Sequence, residues 1–244
     1  MPAKPEISQP VPGEIGQLLR GDPTALATWS RQWDSRRATW QIMVIILGAG
    51  SYGAAMGWWR SPQQALFTAI KFPLIILLTT LGNALINGML APLLGLNLPF
   101  RQSLGAILMS FTITAAILGA FSPLLAFWIW STPGMSPSTV AGAGYSLIKL
   151  MQVAVIALAG TTGSLRLLQA LASLGGNRAA AQRVLAAWLA ANLLLGSQLS
   201  WLLRPFIGSP ALPVEFLRAT AFHGNFYENI FRSAQQLLQH TLGN

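Results

Sequence analysis

The run ALFTAIKFPLIILLTTLGNALINGM at residues 65–89 constrains this chain more than any other stretch. It is long and apolar enough to cross a bilayer, which takes about 20 such residues. Yet Lys71 and Pro73 stand near its start, and Thr79, Asn83 and Asn87 follow at four-residue steps. Inside hydrocarbon each of these groups must find a partner or reach water. The stretch therefore reads as a transmembrane helix with a polar stripe that other helices must answer.

Composition extends this reading to the whole chain. Charged residues make up 9% and hydrophobic residues 53% of the 244, whereas an ordinary globular domain is about 25% charged. A soluble core this large needs a polar shell that these residues cannot supply. The expected fold is an all-α membrane protein, a bundle of about five transmembrane helices with amphipathic interfacial helices at both ends. Spans are expected at residues 40–58, 65–90, 103–123, 145–164 and 184–203. They form a transmembrane domain at 40–204, preceded by a flexible arm at 1–21 and an interfacial amphipathic helix at 22–39. An extramembrane tail with a C-terminal amphipathic helix occupies 205–244.

Local signals place the ends of these elements. Asp22 suits a helix N-cap and Pro23 the first helical position, with Leu26, Trp29, Trp33 and Trp40 on one face. Gly53 and Gly57 form a GxxxG, which lets helix backbones approach closely within the bundle or between copies. Residues 131–144 form a loop without charge, and Asn177 is placed to cap the fifth span. In the tail, Pro205, Pro210 and Pro213 make an irregular connector, and Asn225 with Glu228 forms an N-x-x-E cap for the last helix. The Pro-rich start has no apolar core, so the first span is expected to direct insertion itself.

The net charge of +9 is carried by few cations, mostly beside apolar runs. Anionic headgroups of the lipid bilayer explain it better than nucleic acid, which is not an expected partner. With five spans, nine of the 15 Lys and Arg residues fall on the N-terminal side and four on the other. The positive-inside rule then places the N-terminus in the cytoplasm and the tail outside, with Lys71 and Lys149 both entering from the outer side. The five spans hold no Asp, Glu or His, so the tail carboxylates Glu215 and Glu228 are the nearest acids. A polar cluster of Lys71, Lys149, Arg204, Glu215 and Glu228 is expected where the tail folds back over the outer mouth.

Catalytic chemistry finds little footing. There is no cysteine, and the two histidines, His223 and His240, lie in the tail without metal-pair spacing. No catalytic, cofactor-binding or metal-ligating residue is assigned, and no cofactor is expected. Asn83, Asn87, Asn192 and Gln198 read as interhelical hydrogen-bonding groups. The expected function is that of a non-catalytic scaffold, accessory subunit or membrane-organising factor, with a protein partner or a homo-oligomer in the membrane. The alternative is a transporter or channel for a small anion or lipid headgroup, using Lys71, Lys149 and the Thr79/Asn83/Asn87 stripe.

Several segments resemble an uncharacterised family of bacterial polytopic inner-membrane proteins. They are Tyr52-Gly53 with Gly57, Ala69-Ile70-Lys71-Phe72-Pro73-Leu74, Gly196-Ser197-Gln198-Leu199-Ser200-Trp201 with Leu203-Arg204-Pro205-Phe206-Ile207-Gly208, and Asn225-Phe226-Tyr227. The resemblance implies a bacterial inner membrane and no particular activity. The layout, an N-terminal arm before five spans, is also similar to that of Yip-domain membrane proteins.

Overall fold

A computed structural model describes residues 12–31, 33–96, 98–134, 143–175, 178–231 and 235. The segment before Pro12, Asn177, residues 135–142 of the charge-free loop and, save 235, the C-terminal helix beyond 231 lie outside the described residues. All the regular structure among the described residues is helical. Five helices are long and apolar enough to cross a membrane, which makes the chain a multi-pass membrane protein.

Two short helices come first, α1 (Pro12–Arg20) and α2 (Pro23–Arg31). Asp22 caps α2 as its sequence suggests, accepting from the Thr24 amide at 2.8 Å and the Thr24 hydroxyl at 2.5 Å. Where one interfacial helix over 22–39 is expected, the chain breaks. Asp34 accepts from the Arg36 amide at 3.0 Å and starts α3 (Ser35–Trp58), so the first span begins five residues before Trp40. The apolar face of α1 and α2 is turned into the bundle: Leu18, Leu26 and Trp29 are buried against Met109, Ile113 and Ala170. Arg166 fastens this pair by donating Nε and Nη2 to the Leu19 carbonyl, at 3.1 and 2.6 Å.

The second span, α4 (Pro62–Leu93), starts three residues before the apolar run. Ser61 accepts from the Gln64 amide at 3.1 Å, and Pro62 takes the first turn, where no amide is needed. The third span, α5 (Phe100–Trp130), passes Pro123 and takes in the aromatic run that follows. Pro123 deprives the Gly119 carbonyl of its helical donor, and the Ser122 hydroxyl replaces it at 2.8 Å. The last two spans are α6 (Ala143–Gly175) and α7 (Arg178–Leu203), joined by a hairpin.

α3 lies against α4 and α5, α5 against α6, and α4 against α7. The small residues of α3 serve two partners. A Cβ on Gly48 would lie 2.2 Å from the Ala115 carbonyl oxygen of α5, and one on Gly53 or Gly57 would lie 2.6 or 2.5 Å from Thr68 or Gln64 oxygen of α4. The GxxxG is thus used inside the bundle. α6 and α7 meet near their hairpin, where Leu167, Leu171, Val184 and Trp188 share a core with Ala84 and Ala91. The backbones of α4 and α6 do not approach each other.

Candidate functional site

The polar groups of α4 fall into three sets. The first is a clamp at the end of the bundle where α7 stops. Gln64, Thr68 and Lys71, all fully enclosed, stand on one face at steps of four and three residues. Lys71 Nζ donates to the Pro205 carbonyl at 2.9 Å. Gln64 Nε2 donates to the Pro205 and Phe206 carbonyls at 3.0 and 2.8 Å, and Thr68 Oγ1 to Phe206 at 2.7 Å. The chain leaves its helix at Leu203 and joins Arg204 to Pro205 through a cis peptide bond. Its carbonyls there have no helical partner, and α4 supplies three donors for them.

Aromatic rings close the clamp. Lys71 Nζ lies 5.9 Å from the Phe206 ring centroid and 5.0 Å from that of Phe216, within cation–π range. Phe206 meets Phe72 edge-on, and Phe216 meets Phe67 likewise. Arg60 Nη2 adds a bond to the Leu212 carbonyl at 3.2 Å. The tail does fold back over this end of the bundle.

The expected polar cluster is only partly assembled. Lys71 meets the carbonyl next to Arg204, and tail rings that face its ammonium are those of Phe206 and Phe216. Glu215 is exposed. Glu228 instead sits beside Trp201, His223 and Asn225 around a small surface cavity of about 300 Å³. Asn225 caps the Glu228 amide at 2.8 Å, as its spacing indicates. Arg204 lies flat on the Trp201 ring, 3.5 Å from its centroid, and donates to the Trp201 carbonyl at 3.1 Å. Lys149 is on an exposed face of α6, a helix that does not approach α4.

The second set ties α4 to α7. Asn87 Nδ2 donates to Asn83 Oδ1, and Asn83 Nδ2 donates to Asn192 Oδ1 and to the Trp188 carbonyl. Gln198 accepts from the Phe226 amide at 3.3 Å, and the Ser197 hydroxyl is 2.8 Å from that of Tyr227, so α7 also holds the tail. Asn83 and Asn192 thus join two helices, whereas Asn87 bonds within α4 and Gln198 holds the tail.

The third set is Thr79 alone. Because α4 and α6 stand apart, a cleft of about 870 Å³ opens between α4, α5, α6 and α7. Thr79, Phe111, Gly160, Leu189, Asn192 and Gly196 are among its walls. Thr79 is 3% exposed, and its hydroxyl has no hydrogen-bond partner.

Sequence reasoning passes over Gln64 and Thr68, although their register with Lys71 is visible. The cleft has no comparable sequence signal, since it depends on how far two helices diverge. No family model, curated protein or solved structure matches the chain.

Proposed function

We propose that this is a non-catalytic integral membrane protein, a scaffold, accessory subunit or membrane-organising factor that acts through contacts in the plane of the bilayer. The observation that carries the reading is the enclosure of Lys71. The embedded cation that most resembles a substrate site is fully buried and engaged with a backbone carbonyl. Asn83 and Asn87 are likewise engaged with each other, and Asn83 with α7. Two of the three residues of the stripe considered for anion passage are thus tied up in hydrogen bonds within the bundle, which supports the scaffold reading.

The surface for contacts lies on α6 and α7. In their most apolar windows only 28% and 17% of residues are buried, against 56% in α3 and α5. Leu150, Leu165, Leu193 and Leu194 are among the large side chains they present outward. In a bilayer that face meets lipid or a second protein. We place the protein in a bacterial inner membrane with its N-terminus in the cytoplasm, on the strength of the charge asymmetry and the segment resemblance.

Purification in mild detergent tests the proposal. Co-purifying subunits, or a defined homo-oligomer that survives dilution, support it. A monodisperse protein that exchanges anions across liposomes overturns it.

A further inference from the structure

A further cavity, of about 390 Å³, lies where α6 ends and α7 begins. Leu165, Leu168, Gln169 and Ala172 of α6 line it together with Arg178, the first residue of α7. Steps of three and four residues keep the four α6 positions on one face. α6 has 33 residues and is about 50 Å long at about 1.5 Å per residue. It overreaches a hydrocarbon core of about 30 Å, so its last turns stand among lipid headgroups. Leu165, at 60% exposure, turns the apolar side of the cavity toward the acyl chains.

The polar side chains of the wall offer hydrogen-bond donors. Gln169 Oε1 accepts from Arg166 Nη1 at 3.0 Å, and Arg166 is itself fixed by the Leu19 carbonyl. That leaves the amide nitrogen of Gln169, with its two N–H groups, for another partner. Arg178 is exposed, and its guanidinium makes no hydrogen bond or ion pair among the described residues. No acidic side chain is among the residues lining the cavity. A guanidinium fork beside an amide N–H suits the oxygens of a phosphate, whereas an ammonium group finds no carboxylate in this wall.

We propose that this cavity binds an anionic phospholipid, its phosphate oxygens accepting from the Arg178 guanidinium and the Gln169 amide, and an acyl chain lying along Leu165 and Leu168. Basic pockets between transmembrane helices hold anionic headgroups by this chemistry. A free phosphate ion shares the headgroup contacts but makes no use of the apolar wall, and the test separates the two. The site goes beyond the scaffold reading, and a negative result here leaves the co-purification test untouched.

The experiment is a thermal-unfolding titration of the purified full-length protein in detergent with dioleoylphosphatidylglycerol, dioleoylphosphatidylcholine and inorganic phosphate. A ligand of the folded state raises Tm with its concentration. The expected result is that phosphatidylglycerol raises Tm in saturable fashion, and that phosphatidylcholine and phosphate do so only at higher concentration. Arg178→Gln and Gln169→Glu are each expected to weaken phosphatidylglycerol about tenfold, the size of one hydrogen bond to a charged group. Gln169→Glu keeps the acceptor of Arg166, and both positions are exposed, so the unliganded Tm should stay close to that of the parent. Arg36→Gln is the control for diffuse attraction: it removes the same charge from α3, whose backbone does not approach α6, and should leave the affinity unchanged. The proposal is overturned if phosphatidylglycerol gives no saturable shift, or if phosphatidylcholine or phosphate acts at the same concentration. Full affinity in Arg178→Gln or Gln169→Glu, or equal weakening by Arg36→Gln, overturns it too. Should Arg178→Gln fail to fold, Gln169→Glu and the three-ligand comparison decide.

Discussion

Lys71 of the second span donates its ammonium to the carbonyl of Pro205, two residues beyond the end of the fifth, at 2.9 Å. A buried cation is thereby matched with the dipole of a peptide group and two ring faces. Replacing Lys71 with Met removes a donor from carbonyls that water does not reach. We expect a loss of about 1–3 kcal/mol, seen as a lower Tm in detergent, and faster proteolysis of the connector at residues 207–220. Unchanged Tm and unchanged cleavage would show that the clamp does not hold the tail.

Gly57 and Gln64 give a sharper steric test. A Cβ on Gly57 would sit 2.5 Å from the Gln64 carbonyl oxygen and 2.8 Å from the Ala65 Cα, both backbone atoms. Gly57→Ala must push α3 and α4 apart, at about 1–3 kcal/mol. Because this contact is internal, the oligomeric state of whatever remains folded is expected to stay the same. Loss of an oligomer with unchanged Tm would move the GxxxG to an interface between copies.

Asn83 and Asn192 are suited to a double-mutant cycle. With each replaced by Leu, singly and together, the coupling read from unfolding free energies should be about 0.6 kcal/mol and no more than about 1.7. Coupling indistinguishable from zero would mean that the two amides do not sustain the bond between α4 and α7.

At the other end of the chain, Asp22 supplies a pH test. The Thr24 hydroxyl, and then the amides of Ala25 and Thr24, hold its carboxyl below the usual carboxylate range. A depressed folded pKa means that the cap stabilises α2 above the unfolded value of about 3.9. That contribution is lost as pH falls through the folded pKa. Protection of the Thr24 and Ala25 amides, corrected for intrinsic exchange, should fall in this acid window. Asp22→Asn keeps an acceptor that does not titrate and should flatten the response. An identical acid response in the Asn variant would contradict the assignment.

The existence of the five spans is legible in apolar length, and their ends less so. Ser61 and Ser122 decide where α4 begins and why α5 survives Pro123, through single hydroxyl bonds that hydropathy does not register. Thr79, Asn83 and Asn87 look like one stripe at four-residue spacing, but each such step turns about 40° around a helix of 3.6 residues per turn. Asn83 consequently bonds α7 and Asn87 bonds Asn83, while Thr79 stands in the wall of the cleft. Lys71 departs from the expected pairing with a carboxylate for a different reason. Its acceptor is a main-chain carbonyl, and a sequence displays side chains only.

The clamp also sets an order of events during synthesis. Lys71 is made 134 residues before the carbonyl that accepts its hydrogen bond, an interval of about 7–27 s at about 5–20 residues per second. For that time the second span carries a cation with no acceptor, and it must shelter at the insertion machinery or keep its ammonium at the water line. Only when residues 205 and 206 emerge does the helix gain its final neighbours. A segment translated after the fifth span is what lets the second span settle.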